Sequence, residues 1–271
     1  MTKMTDFVFI DSGIGGIPYM MKLLEKKSDA SCLYVADSAN FPYGEKTHEE
    51  VVKCVLELVA KIKKLYAPKV IVVACNTMSV NALDSLRKEF SEIQFVGTVP
   101  AIKLAASLSK NRRIGLLATH ATCENPYNLE LKNKFAADCS LVNRADPELI
   151  SFIEHYGYTA SREECLKAVA PAVDFFRQEK CDVMILGCTH FLNFTDIFEE
   201  ACASSLKVVD SVDGVVRHAL ELTGYDKDGE KTAYGQKTSP ALYVTGFTDA
   251  NEKMQYKEIC LKFDIQFKGI F

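Results

Sequence analysis

Val70-Ile-Val-Val-Ala-Cys75-Asn-Thr77 is a run of β-branched residues that ends, after one small residue, in a cysteine and two polar residues. The same layout returns at Val183-Met-Ile-Leu-Gly-Cys188-Thr-His190. Four apolar residues in succession, without polar alternation, read as a strand buried on both faces, the condition of a parallel sheet covered by helices. Ligands of such sheets bind beyond the carboxyl ends of the strands, where both cysteines fall. Each half also begins with a strand that leads into a polar loop: Asp11-Ser12-Gly13 after Ile10, and Thr119-His120 after Ala118. The separations are alike, 64 residues from Asp11 to Cys75 and 69 from Thr119 to Cys188. The pattern is that of a duplicated half carrying one cysteine in each copy.

Outward from these two stretches, short β-branched runs alternate with longer segments of helical period, which reads as α/β. Strands are expected at Phe7–Ile10, Cys32–Ala36, Val70–Ala74, Gln94–Gly97, Ile114–Ala118, Val183–Gly187, Lys207–Asp210 and Leu242–Thr245. Thr47 with Glu50, and Ser161 with Glu164, have the spacing of capping boxes and open two helices. Pro171 is expected to kink or interrupt the second of them. The polar stretch Asp226–Ser239 reads as a surface excursion. The expected architecture is two similar α/β lobes with mostly parallel sheets and the active site in the cleft between them. One lobe would combine residues 1–98 with 208–271, and the other would be 99–207.

The 271 residues carry a net charge of −4, with 48 % hydrophobic and 25 % charged residues. No basic field is available for gripping phosphate backbones, so nucleic acid is not the expected partner. No apolar run approaches the eighteen or so residues that span a bilayer. Phe7–Ile10 is too short for a signal-peptide core. A cytoplasmic protein without membrane association is the expectation. The ten cysteines include no C-x-x-C pair, which argues against zinc knuckles and thioredoxin chemistry. Most are read as small buried apolar residues.

Cys75 and Cys188 are the exceptions. Each precedes a polar pair at a helix start, where free N–H groups and the helix dipole favour thiolate. Two such thiols suit the inversion of a stereocentre: one removes a proton from one face while the other returns a proton to the opposite face. Structural thiols at two strand ends are the competing reading. No lysine stands in a Schiff-base context, so no pyridoxal anchor is visible. Cys188 with His190 lacks the further clustered ligands that a zinc site needs. The expectation is therefore no cofactor and no metal.

Four segments, Asp11-Ser-Gly-Ile-Gly-Gly16, Pro42-Tyr-Gly-Glu-Lys46, Ala74-Cys-Asn-Thr-Met-Ser79 and Leu186-Gly-Cys-Thr-His-Phe191, resemble in order and spacing the signature segments of glutamate racemases. The likeness runs along nearly the whole chain, including Val244-Thr-Gly246. It implies that Cys75 and Cys188 are the two proton donors and acceptors, Cys75 taking the proton from D-glutamate and Cys188 from L-glutamate. It implies further that Asp11, Ser12, Tyr43, Gly44, Asn76, Thr77, Thr189 and His190 bind or orient the substrate. Asp11 and His190 would also take part in proton transfer. Glu154, in Leu149-Ile-Ser-Phe-Ile-Glu154, matches a family segment that ends in an acidic residue near the second cysteine. Local roles stay open beside these: Asp11, Asn76, Thr77 and Thr189 as helix caps, Tyr43-Gly44 as a turn, and Glu154 as a solvated helix-end carboxylate. The resemblance also implies a homodimer and a supply of D-glutamate for peptidoglycan.

The chain departs from the family pattern in the loop Thr119-His-Ala-Thr-Cys-Glu-Asn-Pro-Tyr127, at Asp146 where many members have cysteine, and at Phe191-Leu-Asn-Phe194 where Tyr-Pro-Leu is commoner. An aspartate or hydantoin racemase is the nearer alternative, and a non-catalytic binding protein for an acidic ligand the farther one. If the thiol reading holds, an alkylating reagent abolishes activity and glutamate protects. Peptide mapping then finds the protected label on Cys75 and Cys188, and inactivation with label only on other cysteines refutes it.

Overall fold

Val70–Val73 is buried without remainder, as are Phe7–Ile10 and Tyr34–Ala36 on either side of the first sheet's centre. Each such Val, Ile or Phe contributes about 1.5–3 kcal/mol by leaving water, so these runs nucleate the architecture. The computed structural model describes residues 3–225 and 239–271. The chain forms two compact units, residues 1–98 with 212–271, and residues 99–211.

In chain order the first passage comprises β1 (Lys3–Asp11), α1 (Ile17–Lys26), β2 (Cys32–Ala36), α2 (His48–Leu65), β3 (Tyr66–Val73), α3 (Asn76–Glu89) and β4 (Gln94–Gly97). The second unit follows with α4 (Ile102–Leu108), β5 (Arg113–Ala118), α5 (His120–Glu124), α6 (Pro126–Phe135), β6 (Ser140–Ala145), α7 (Pro147–Tyr156) and α8 (Arg162–Gln178). It closes with β7 (Val183–Leu186), α9 (Thr189–Leu192), α10 (Thr195–Cys202) and β8 (Lys207–Val209). The chain then returns to the first unit through α11 (Val212–Thr223), β9 (Ala241–Val244), α12 (Ala250–Lys262) and β10 (Gln266–Ile270).

The first sheet has the order β10-β9-β2-β1-β3-β4 and the second β6-β5-β7-β8. Every pairing in both is parallel. In the first unit, Val8, Ile10, Leu33, Val35, Ile71 and Val73 pack with Val51, Val55, Val59, Ala82 and Leu86 of α2 and α3. The alternate strand residues, among them Phe7, Phe9 and Val72, point to the other face. In the second unit Ile114, Leu116, Val183 and Ile185 pack with Ile102 and Ala105 of α4. On the opposite face the Phe176 ring of α8 lies over Gly115, where a side chain would collide with it.

Cys32–Ala36 and Gln94–Gly97 coincide with the strands expected there, and the remaining expected strands are present with shifted ends. Both capping boxes form, Thr47 with Glu50 and Ser161 with Glu164. β3 starts earlier than expected and contains Pro68. That position is tolerated because β4 pairs with Val70–Val73, and among the described residues no strand pairs with β3 at the proline on that side. Two strands were not expected, β6 and β10. Both are sheet edges with half-exposed, partly polar sequences, which lack the continuous apolar signal of the interior strands. Of the kink or interruption expected at Pro171, the interruption does not occur: α8 runs through it. Pro171 lies on the exposed side, while Cys165, Val169, Ala172, Val173 and Phe176 hold the helix to the core. The excursion expected at Asp226–Ser239 falls outside the described residues, Ser239 apart. No helix among the described residues is long and apolar enough to cross a membrane.

Gly16 caps the start of α1, against Ala74 and Asp11 at the ends of β3 and β1. A Cβ there would lie 2.8 Å from the Ala74 carbonyl oxygen and 3.0 Å from Asp11 Oδ2. Gly214, in the first turn of α11, has nothing within 4 Å of the same position. Gly16→Ala should therefore destabilise by about 1–3 kcal/mol through overpacking, while Gly214→Ala should stabilise by up to about 1 kcal/mol through helix propensity. Urea unfolding of both variants measures this. Equal effects in the two would discredit the packing account.

Candidate active site

The last rung of the β1–β3 ladder is the hydrogen bond from Ala74 N–H to Ile10 O, at 2.8 Å. It sets Asp11, the final residue of β1, beside Ala74 and directs Cys75 out of the sheet end. Cys75 has extended backbone (φ −144°, ψ 122°) and is the N-cap of α3. The second unit repeats this. Gly187 N–H donates to Leu117 O at 2.7 Å, and Cys188 (φ −128°, ψ 139°) is the N-cap of α9. Both thiols are 6 % exposed. The helix N–H groups that follow them, from Asn76 and Thr77 or from Thr189 and His190, are the ones a helix start leaves without intrahelical partners.

Polar groups are built around the first cysteine's strand ends. Asp11 is fully buried. Its Oδ1 accepts Ser12 N–H at 2.6 Å, and Tyr34 Oη lies 3.4 Å from Oδ2. The Tyr34 hydroxyl donates to Gly13 O at 2.8 Å and accepts Gly16 N–H at 3.0 Å, which ties the glycine turn to β2. Tyr43 is buried and donates to Asp37 Oδ2 at 2.5 Å. Burial, and then the charge of Asp37, push the Tyr43 phenol far up, so it stays protonated and donating. Gly44 follows in the same short 3₁₀ turn. Asn76 is buried, and its Nδ2 has no hydrogen-bond partner among the described residues. A buried amide donor left in that state costs about 1–3 kcal/mol, a cost that an incoming oxygen would remove. Thr77 is buried one residue further on.

Around Cys188 the arrangement is a relay. Cys188 Sγ lies 3.6 Å from His190 Nδ1, and His190 Nε2 lies 2.7 Å from Glu154 Oε2. All three side chains are buried, His190 at 2 % and Glu154 at 4 % exposure, and Thr189 is buried with them. Burial opposes a charged imidazole, but the hydrogen bonds and charges of Cys188 and Glu154 outweigh it and hold His190 well above its ordinary value. Glu154 is thus not a solvated helix-end residue. It is the ring's buried hydrogen-bond partner. Thr119 caps α5, accepting from Thr122 N–H, and its hydroxyl meets that of Thr122 at 3.0 Å.

Within the first unit the structure places Asp11, Ser12 and Cys75 at neighbouring strand ends, and within the second it joins Cys188, His190 and Glu154. Sequence reasoning missed Asp37. It is buried at the carboxyl end of β2 and accepts from Tyr43, from Asn40 and, at 2.7 Å, from Thr245. The signal was present: Asp37 follows β2 as the polar residues Asp11 and Ser12 close β1. No cluster of three or more His, Cys, Asp or Glu among the described residues could hold a metal ion.

Each of the two α/β units sets a cysteine at the N-cap position of the helix that follows an interior parallel strand, and each buries acidic side chains of its own, Asp11 and Asp37 in the first and Glu154 in the second. The model of the Asp/Glu/hydantoin racemase family matches residues 19–219. The chain is 37 % identical to the glutamate racemase of Treponema pallidum (strain Nichols), over 97 % of this chain and 95 % of that protein. It is also 37 % identical to the glutamate racemase of Proteus mirabilis (strain HI4320), over 78 % and 74 %. The crystal structure of Escherichia coli glutamate racemase in complex with L-glutamate and activator UDP-MurNAc-ala matches with a TM-score of 0.82 and 28 % identity, covering 98 % of this chain and 97 % of that one. The chain belongs to the Asp/Glu/hydantoin racemase family.

The raised His190 value makes stability pH-dependent with a definite sign. A histidine held above its unfolded value of about 6.5 stabilises the fold fully below that value, and the contribution is lost as pH rises through the folded value. The stability deficit of His190→Gln relative to wild type should be largest in mild acid and shrink as the pH climbs. Urea unfolding across pH checks this, and a deficit that stays constant would exclude a charged His190–Glu154 pair.

Proposed function

We propose that this chain interconverts L-glutamate and D-glutamate by direct proton transfer at the α-carbon, with Cys75 and Cys188 as the two acid/base groups and no cofactor. The observation that carries the reading is the repeated thiol. In a chain of the racemase family, each unit ends a buried parallel strand in a cysteine that caps a helix. Relatives at 37 % identity that bear the name glutamate racemase, one of them matched over almost its whole length, favour glutamate over aspartate or a hydantoin.

Racemisation breaks one α-C–H bond and forms another on the opposite face. One cysteine enters as thiolate and takes the proton; the other enters as thiol and gives one, so a turnover leaves their states exchanged. The substrate's carboxylate charge is met by donors: Asn76 Nδ2, the hydroxyls of Ser12, Thr77 and Thr189, and the N–H groups opening α3 and α9. Asp11 orients the Cys75 side. His190, anchored by Glu154 and 3.6 Å from Cys188, orients that thiol and shares its proton. Tyr43, locked as a donor by Asp37, and the adjoining Gly44 complete the binding surface. The active species on this reading is a homodimer, and its D-glutamate serves peptidoglycan synthesis.

Cys75→Ser and Cys188→Ser should each abolish racemisation in both directions, because a hydroxyl is a poor base. The surviving thiol still removes a proton from the enantiomer it faces. With a β-leaving-group analogue, where abstraction followed by elimination suffices, Cys75→Ser should act on the L-form and Cys188→Ser on the D-form. Circular dichroism confirms folding of each variant. Loss of the same enantiomer by both, or near wild-type racemisation by either, would sink the two-thiol mechanism. A chiral assay of the wild-type chain on L-glutamate, L-aspartate and a hydantoin separates the substrate classes.

A further inference from the structure

His190 sits on α9, which is only four residues long (Thr189–Leu192). So short a helix has little cohesion of its own; at its ends Phe191 N–H reaches Cys188 O and Asn193 N–H reaches His190 O, each at 3.1 Å. The orientation of the ring must come from outside. Glu154 supplies one tie from α7. The structure contains a second, between the residues just past the ends of the same two helices.

Tyr158 Oη donates to Asn193 Oδ1 at 2.5 Å. Asn193 Nδ2 in turn donates to the His190 carbonyl at 3.3 Å. Gly157 keeps helical dihedrals (φ −58°, ψ −23°), so Tyr158 continues the spiral of α7 one turn after Glu154, while Asn193 stands one turn after His190. Between them the chains close without a spacer. A Cβ on Gly157 would lie 3.1 Å from the Phe194 ring, and Phe194 meets Phe152 of α7 edge-on at 6.2 Å.

We propose that Tyr158 and Asn193 are positioning residues for the acid–base group at Cys188, their hydrogen bond setting the separation of α7 and α9 at which Glu154 and His190 meet. The proposal rests on the reading of Cys188, His190 and Glu154 as that group. The two ties differ in kind. The Glu154–His190 bond depends on the protonation of its partners, whereas the Tyr158–Asn193 bond is neutral. Burial, reinforced by the charge of Glu154, pushes the Tyr158 phenol up, so it remains a donor across the working range. Groups facing the relay include Glu154 from α7, the Tyr158 phenol toward Glu154 and, toward Cys188, Cys123 from α5. Neither substitutes for a lost brace.

The test uses the full chain with isotope-labelled histidine, comparing wild type with Tyr158→Phe, Asn193→Leu, Glu154→Gln and the Tyr158→Phe/Glu154→Gln double variant. His190 is followed by NMR as a function of pH, and steady-state kinetics are measured in both directions. A loosened brace weakens the hold of Glu154, so the His190 midpoint should fall toward the ordinary imidazole value in Tyr158→Phe and in Asn193→Leu. Turnover should fall about tenfold, less than the roughly hundredfold that a 1 Å misplacement costs, with KM moved less than about twofold, as for a group acting in the transition state. In the Glu154→Gln background, Tyr158→Phe should add nothing. An unchanged His190 midpoint in both single variants, with only a lower unfolding temperature, would reduce the bond to a structural one. A full additional loss in the double variant would equally overturn the proposal. The NMR arm needs no substrate. A responsive His190 in a chain that fails to racemise glutamate therefore refutes the functional reading and upholds the brace, while an unresponsive one in an active enzyme refutes the brace alone.

Discussion

Ala74 N–H reaches Ile10 O at 2.8 Å, and Gly187 N–H reaches Leu117 O at 2.7 Å. These two bonds close the parallel ladders β1–β3 and β5–β7, and the residue after each donor or its neighbour is a cysteine. A parallel ladder holds its strands in fixed register, because a slip by one residue would turn every side chain to the opposite face and disrupt the packing against both covering layers. The positions of both thiols are therefore set by the burial of Val70–Val73 and Val183–Leu186, far more than by contacts of the thiols themselves. What lies next to Cys75 and Cys188 could change greatly without moving them, and this is how the two units come to differ.

They do differ. The backbone frame is the same in both, strand end and helix cap, but the polar groups are wired by different elements. In the first unit, carboxylates at the ends of β1 and β2 are held by hydroxyls: Asp11 by Ser12 with Tyr34 nearby, and Asp37 by Tyr43 and Thr245. In the second, a carboxylate from α7 is held by an imidazole from α9. Buried charges of either kind are tolerable only when partnered. The first arrangement has its carboxylates accepting from hydroxyl donors, and the second sets an imidazole held above its ordinary value beside a sulfur. On the proposed mechanism, two thiols that exchange acid and base roles need not be tuned by identical neighbours, since each needs only a partner that accommodates its charge.

Much of this was legible in the residues. The two apolar runs and their following cysteines announced parallel strands, and the paired Thr47/Glu50 and Ser161/Glu164 spacings announced helix starts, because both signals are local and carried by few residue types. The edge strands Ser140–Ala145 and Gln266–Ile270 were not legible, since a half-exposed strand next to a sheet's last partner has neither a continuous apolar run nor clean alternation. Pro171 was legible only in part, for a related reason. The local cost of a proline in a helix is plain from sequence, but the tertiary packing of Val169, Val173 and Phe176 that outweighs it is not. Asp37 went unread although its place after β2 parallels that of Asp11 and Ser12 after β1.

The sequence by itself determined the framework: which runs are buried strands, that Cys75 and Cys188 end them, and that helices begin there. Those properties depend on neighbours within a few residues along the chain. Tertiary structure alone decided which distant groups reach the thiols' surroundings. Glu154 meets His190 across 36 positions, Asp37 meets Thr245 across 208, and Tyr158 meets Asn193 across 35. No local pattern encodes such meetings, because a hydrogen bond is set to a few tenths of an ångström by the packing of whole helices on sheets, and that packing exists only once the chain has folded.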